Sequence, residues 1–346
     1  MGNKNLHNAK ISKNDEFYTQ YTDIQKEVDA YLEYNPNVFR DKTILLPCDD
    51  PEWSNFTKFF VQNFEKFGLK KLISTCYTNT KNNCQTDLFE IDCSQNFNSH
   101  GKILILTKDN LNSKWHYLKG DGDFRSDEIK ALRDESDFII TNPPFSLFRE
   151  FVSWIFETDK KFLIIGNMNA VTYKEVFPLI KDNKMWYGVS ISSGDRRFNV
   201  PDSYPLNASG CGIDDNNQKY IQVKGVRWFT NIDHGKRHKP LSLLTMNDNL
   251  RFNKKLKNSK YQYAYKKYDN YDAIEIPLTE VIPSDYEGIM GVPISFLDKY
   301  CPEQFEIIDI SSNLAKPIFV NGKRGSGRFY LNGKRLYDRI AIRKIK

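Results

Sequence analysis

The sequence predicts an α/β protein, with a sheet of parallel strands and helices over residues 1–190 and a smaller, β-containing region over 191–346. Three observations carry this expectation. Four short apolar runs alternate with amphipathic stretches through the N-terminal part, which is the pattern of successive strand–helix units. A chain of 346 residues that is 40% hydrophobic is long enough to bury such a core and a second domain as well. Beyond about residue 190 the alternation stops, and Gly, Asn and aromatic residues with short strand-like runs take over.

The apolar runs are "KTILL" (42–46), "KKLIST" (70–75), "SDFIIT" (136–141) and "KKFLIIG" (160–166). Helical patterns fall at "EWSNFTKFFVQNFEKF" (52–67), "SDEIKALRDE" (126–135), "SLFREFVSWIFE" (146–157) and "TYKEVFPLIK" (172–181). Phe148, Phe151, Val152 and Ile155 stand at helical spacing, as do Val176, Phe177 and Ile180, so these stripes are core. Residues 76–117 break the rhythm and read as a polar turn with a β-hairpin inserted between strand and helix.

Composition excludes several classes. The six cysteines, Cys48, Cys76, Cys84, Cys93, Cys211 and Cys301, form no C-x-x-C pair, so a disulfide framework is not expected and a reducing, cytoplasmic compartment fits. Cys76, Cys84, Cys93 and His100 match no zinc-ligand spacing, and no metal is expected. No apolar run reaches the ~18–20 residues that span a bilayer, and "MGNKNLHNAK" lacks a signal-peptide core. Gly2 does not complete a myristoylation signal, because Leu6 stands where Ser or Thr is required.

Charge is segregated. The net charge is +6, yet residues 218–268 hold 13 basic and 2 acidic side chains and residues 316–346 hold 10 basic and 1 acidic, leaving the rest of the chain at −14. A basic region on an acidic body suits a polyanion partner, because its field steers encounter and phosphate neutralisation releases counterions. Aromatics interleave with the cations in "VKGVRWF", "KYQYAYKKY" and "GSGRFYLNGKRLY", a composition expected of a nucleic-acid surface rather than of a merely solvated face.

The stretch "TNPPF" (141–145) runs off the third apolar strand, at the end where sheets of this kind bind ligands. Each proline holds the residue before it out of the helical region and offers no N–H, so Asn142 and Pro143 are expected in a stiff, extended turn. The bland alternative is a turn and helix start with Ser146 as the cap. The chemical reading is an exocyclic amino group held by two acceptors, the Asn142 side-chain oxygen and the Pro143 carbonyl. Those acceptors favour a pyramidal nitrogen whose lone pair can attack an activated methyl group without a strong base. Phe145 offers a stacking face to a base swung out of its helix.

"NPPF" has the form of the (Asn/Asp/Ser)-Pro-Pro-(Tyr/Phe/Trp) motif of S-adenosylmethionine-dependent amino methyltransferases. Together with "DEFYTQYTDI" (15–24), "CDDPEWSNF" (48–56), "GDGDFRS" (120–126), "KKFLIIGNMNAVTYKEVF" (160–177) and "MGVPISFLDKYCPEQFEII" (290–308), it resembles the EcoRI-type adenine-specific DNA methylases. The resemblance runs over most of the chain and is densest over residues 15–190. It implies a Rossmann-like methyltransferase sheet with helices on both faces and a DNA-recognition region behind it.

The resemblance also assigns positions. Asn142, Pro143, Pro144 and Phe145 match the catalytic motif that holds the target adenine. Phe17, Tyr18 and Thr19 look like the segment that closes over the methionine end of the cofactor. Asp49 and Asp50 stand where such enzymes bind the cofactor's amino acid, with Asp49 the favoured contact, and Asp123 and Phe124 resemble the Asp-Phe that meets its adenine. The motif order is similar to the γ arrangement of amino methylases.

One departure is plain: no glycine occurs between Gly2 and Gly68, so "CDDP" replaces the usual glycine-rich loop and a nicotinamide fingerprint is excluded. A local reading is also open, with Asp50 as a helix N-cap and Pro51 in the first helical position, and with Asp121 and Asp123 in a solvated turn.

The expected function is methyl transfer from S-adenosylmethionine to adenine N6 in double-stranded DNA by a cytoplasmic monomer. The chain would act beside a cognate restriction endonuclease, without forming a stable complex. Arg227, Lys236, Arg237, Lys254, Lys255, Arg324 and Arg328 are the expected duplex contacts. An RNA or protein-amide methyltransferase, or a non-catalytic nucleic-acid-binding protein retaining the fold, would share part of this pattern.

Overall fold

A computed structural model of the chain describes residues 19–78, 100–192, 195–200, 206, 210–320, 323–324 and 327–345. The chain forms two compact units, one from Met1–Met168 and Gly188–Ile232, the other from Asn169–Tyr187 and Asp233–Lys346. The units therefore do not follow a single cut at 190. A later segment returns to complete the first sheet, and the 169–187 stretch belongs with the C-terminal part.

The first unit is built on β1 (Thr43–Leu46), β2 (Lys71–Cys76), β5 (Phe138–Thr141) and β6 (Lys161–Asn167), paired in parallel in the order β2-β1-β5-β6. These are the four apolar runs. All four residues of β1 and of β5 are buried, which is what strands covered on both faces require. Antiparallel strands extend this core on both sides. β3 (Lys102–Thr107) and β4 (His116–Tyr117) form the hairpin expected within 76–117, and β11 (Val226–Thr230) pairs with β6. The sheet is thus mixed. The parallel expectation holds for its centre, and antiparallel strands flank it.

Helices α1 (Tyr21–Tyr34), α2 (Asn55–Gln62), α3 (Phe64–Phe67), α4 (Asp127–Glu135) and α5 (Phe148–Phe156) also belong to this unit. Phe39, Phe56, Phe60, Phe67, Phe138 and Trp228 lie in its main core cluster. The expected helix over 52–67 is shorter and divided. It starts only after Ser54, whose hydroxyl accepts the Phe56 N–H at 3.1 Å, and it is interrupted at Asn63. Gly166 lets α5 lie close on β6, since a Cβ there would collide with the Phe148 ring. A three-stranded antiparallel sheet of β8 (Asp195–Asn199), β10 (Lys219–Lys224) and β9 (Cys211–Ile213) completes the unit.

In the second unit the expected helix over 172–181 is reduced to α6 (Phe177–Lys181). Pro178, which cannot donate to a preceding turn, sits in its first turn. A short strand, β7 (Trp186–Tyr187), follows. The unit's main sheet runs β12-β13-β14-β20-β15, with β12 Lys267–Tyr268, β13 Tyr271–Glu275, β14 Met290–Pro293, β15 Phe305–Ile310 and β20 Arg339–Lys344. Two small hairpins, Phe319–Val320 with Lys323–Arg324 and Tyr330–Leu331 with Lys334–Arg335, lie between β15 and β20 in sequence. Tyr268 and Tyr271 stack on Phe329 at 4.3 and 5.2 Å. Glu275 and Arg339 form a buried pair at 2.7 Å.

Candidate active site

The site grows from the C-terminal ends of β1, β2 and β5, all in the first unit. β1 ends at Leu46, and the chain then turns through Cys48, Asp49 and Asp50. The Asp49 N–H donates to the Thr75 carbonyl at 2.9 Å, and the Ser74 hydroxyl donates to the Asp49 carbonyl at 2.6 Å, so the turn is pinned to the end of β2. Thr57 on α2 shares a hydrogen bond with Ser74 at 2.7 Å.

The Asp49 carboxylate is 4% exposed. Ser54 donates to its Oδ1 at 2.6 Å, and Thr141, the last residue of β5, donates to its Oδ2 at 2.6 Å. Burial pushes its pKa up to about 7, against the lowering effect of those two hydroxyl hydrogen bonds. Asp49 therefore ties the ends of three neighbouring strands together. Its side-chain partners are hydroxyls, and it forms no ion pair among the described residues.

Asp50 is placed differently. Its Oδ1 accepts the N–H groups of Glu52 and Trp53 at 2.7 and 3.2 Å, closing a turn ahead of the helix. The cap of α2 itself is Ser54, so the Asp50-Pro51 helix start is corrected: Asp50 caps the preceding turn because the chain needs that turn to reach α2. Its Oδ2 lies 3.6 Å from Lys102 Nζ and accepts the Cys76 thiol at 3.4 Å. Lys102 also pairs with Glu52 and lies over the Trp115 ring at 4.7 Å.

Thr19 joins the same corner, its carbonyl accepting Asn55 Nδ2 at 2.8 Å. Phe17 and Tyr18 lie outside the described residues. The hydroxyls of Thr19 and Thr75 are buried with no hydrogen-bond partner among the described residues.

The "GDGDFRS" turn meets the end of β2, where Thr78 N–H donates to the Asp121 carbonyl at 2.9 Å. Gly122 has φ +82°, and a Cβ there would collide with the Cys76 carbonyl, so only glycine fits. Glu128 holds the turn from below by accepting the Lys119 and Gly120 N–H groups at 3.1 and 2.9 Å. Asp123 accepts the Arg125 guanidinium at 2.6 Å, which keeps its carboxyl below the usual range. Phe124 turns inward, edge-on to Phe151 at 5.0 Å and Trp154 at 5.6 Å.

At the end of β5, Thr141 and Pro143 are buried, while Asn142, Pro144 and Phe145 are half-buried. The two prolines do not open the helix directly. A short 3-10 turn, Phe145–Leu147, comes first, with the Leu147 N–H donating to the Pro144 carbonyl at 3.0 Å, and α5 begins at Phe148. Ser146 is therefore not the helix cap; that position falls on Leu147. The Phe145 ring lies edge-on to Phe198 at 6.3 Å.

The expected duplex contacts divide by burial. Arg227 is 4% exposed inside β11, its guanidinium donating to the Val226 and Ser192 carbonyls at 2.8 and 2.7 Å. Arg237 is 6% exposed, stacked over Trp186 at 3.8 Å and bonded to Asn183. Neither guanidinium occupies the open position expected of a phosphate contact, because each is itself buried and bonded within its own unit. Lys254 is exposed, Lys255 is exposed and paired with Glu280 at 2.8 Å, Lys236 is half-buried, and Arg328 is half-buried and paired with Asp338 at 2.8 Å. Arg324 lies in a hairpin strand. Among the described residues, no group of three or more His, Cys, Asp and Glu side chains could hold a metal ion, and Cys84 and Cys93 lie outside them. No helix among those residues is long and apolar enough to cross a membrane.

Sequence reasoning missed Ser54 and Thr141, the two hydroxyls that hold Asp49. Their only signal is adjacency, since each lies within one of the motifs already singled out.

A parallel strand core whose neighbouring ends carry the acidic turn and the Asn-Pro-Pro-Phe turn defines the class as a Rossmann-like methyltransferase. Within that class the chain belongs to the family described as adenine-specific methyltransferase EcoRI, whose model matches residues 5–345. It is 44% identical to Type II methyltransferase M.EcoRI of Escherichia coli, over 96% of this chain and 98% of that protein. Type II methyltransferase M.MgeORF184P of Mycoplasma genitalium is 36% identical and M.MpnI of Mycoplasma pneumoniae 35%, each alignment covering 97% of both chains. No solved structure gives a significant match.

Proposed function

We propose that the chain methylates adenine N6 in duplex DNA, with S-adenosylmethionine as donor, as the modification half of a restriction-modification system. The observation that carries this is the bond from Thr141 to Asp49, which joins the turn expected to hold the cofactor to the turn expected to hold the base. The names of the Type II methyltransferase relatives support DNA as the substrate.

The residues present fit the donor's methionine end. Among the described residues Asp49 is a buried carboxylate held by hydroxyls with no cation beside it, and the Thr19 and Thr75 hydroxyls are buried with no partner. Such a corner suits an ammonium group, which would supply the missing charge. Asp50 is already matched to Lys102, so Asp49 is the better ammonium partner. Asp123 would meet the donor's adenosine half, and Phe124 would hold that turn from its core position. The donor supplies an activated methyl group; the protein supplies position and dipoles.

Asn142 and the Pro143 carbonyl take the two N–H bonds of the target amino group, leaving its lone pair available for attack. The stiffness of two consecutive prolines keeps those acceptors in place without reorganisation. Phe145 stacks on the extruded base. Lys236, Lys254, Lys255, Arg324 and Arg328 remain the proposed backbone contacts, whereas Arg227 and Arg237 serve the fold. A panel of unmethylated duplex DNA, RNA and protein incubated with labelled donor tests the reading. Label entering duplex DNA alone supports it, and label entering RNA or protein instead contradicts it.

A further inference from the structure

Aromatic residues interleaved with cations marked the basic stretches as a nucleic-acid surface, but most of those rings are buried. Trp228, Phe229, Tyr268, Phe329 and Tyr330 are each at most 6% exposed and form core. Of the interleaved rings Tyr337 is exposed, at 84%, and further rings outside those three runs are exposed as well. Among the described residues the only exposed phenylalanines are Phe252, at 60%, and Phe319, at 76%, and each lies within or beside a basic stretch of the second unit.

Phe252 ends the short helix α7 (Met246–Phe252), with Leu250 also 50% exposed. The cations around it are uncompensated. Arg251, Lys254, Lys257 and Lys260 are all exposed and form no ion pair among the described residues; Lys255 alone, paired with Glu280, is matched. The Arg251 guanidinium lies 5.1 Å from the centre of the Phe252 ring. An exposed phenyl ring in a ten-residue stretch, 251–260, that carries four cations without an ion pair among the described residues has the chemistry of a site where phosphates are met by the cations and a base is met by the ring.

We propose that Phe252 is a base-contacting side chain of this unit, inserting an apolar face at a base step of duplex DNA while Arg251, Lys254, Lys257 and Lys260 hold the flanking phosphates. This rests on the duplex-DNA reading of the function and adds to it the residue that meets the bases. Lone lysines explain affinity without it. The exposed ring, which gains nothing in water, does not follow from phosphate binding.

The test is equilibrium binding of the full chain to unmethylated duplex DNA across a salt series, for the wild type, Phe252→Ala, Phe252→Trp and Lys254→Ala. Phe252→Ala should weaken binding about tenfold at every salt concentration with an unchanged log–log slope, and Phe252→Trp should restore it. Lys254→Ala should instead reduce the slope by about 0.9. An unchanged thermal midpoint in Phe252→Ala shows that the fold is intact. Wild-type affinity in Phe252→Ala, with the wild type binding normally, overturns the inference alone. Failure of the wild type to bind duplex DNA overturns the functional reading and this inference with it.

Discussion

Thr141 Oγ1 donates to Asp49 Oδ2 at 2.6 Å, across 92 residues of chain. The bond runs between two adjacent parallel strands at their C-terminal ends and connects the acidic turn to the residue immediately before Asn142. Replacing Thr141 by Val keeps the shape and removes the donor, leaving a buried carboxylate oxygen unmatched at a cost of about 1–3 kcal/mol. The variant should melt earlier and turn over more slowly, and Thr141→Ser should recover both. Thermal melts with steady-state rates check this.

Asp49 gives the site a pH dependence. Its folded pKa of about 7 lies above the ordinary value of 3.8, so the native chain holds this proton longer than the unfolded one. This group's contribution to stability is therefore greatest at low pH, falls as pH rises above the unfolded value, and stops falling once pH passes about 7. A cationic donor needs the ionised form, so its affinity should rise with pH up to about 7 and then level off. Asp49→Asn should weaken donor binding and flatten that profile, as read by calorimetry in the absence of DNA.

Arg227 and Arg237, both buried, differ from the exposed basic residues proposed as backbone contacts. Arg227→Met removes the hydrogen bonds to the Val226 and Ser192 carbonyls from a buried position, so it should lower the melting temperature by several degrees while leaving the salt slope of DNA binding unchanged. A reduced slope with an unchanged melting temperature would contradict the burial argument.

The sequence could not show this distinction. "VKGVRWF" looks like an interface because it alternates cation and ring, yet it contains a strand that pairs with β6, and it is carbonyl acceptors close by in the fold that make Arg227 a core residue. The four central strands were legible for the opposite reason, since an unbroken apolar run needs no partner to be read as buried. The candidate site was legible as separate motifs and not as a network. Asp49, Asn142 and the glycine turn each have a sequence signature, but Ser54 and Thr141 act through neighbours that only the strand order brings together. The Asp50 turn was missed because an Asp-Pro pair serves a helix start and an isolated turn equally well.

Phe145 is half-buried, with its ring edge-on to Phe198, so it contributes modest packing. If the ring stacks on the extruded base, as proposed, Phe145→Ala should lose roughly tenfold to a hundredfold in turnover, with duplex affinity far less affected. Turnover rates compared with gel-shift affinities would show the split. Equal losses in both would remove the stacking role.

In the proposed reaction the Asn142 turn presents an adenine amino group to the methyl donor. The most direct measurement is to incubate the chain with unmethylated duplex DNA and labelled S-adenosylmethionine, digest the DNA to nucleosides and identify the methylated base by mass spectrometry, with Asn142→Ala alongside. The wild type should yield N6-methyladenine and the variant none, with donor and DNA affinities retained in both. A different methylated base, or N6-methyladenine that persists in Asn142→Ala, would contradict the proposed reaction.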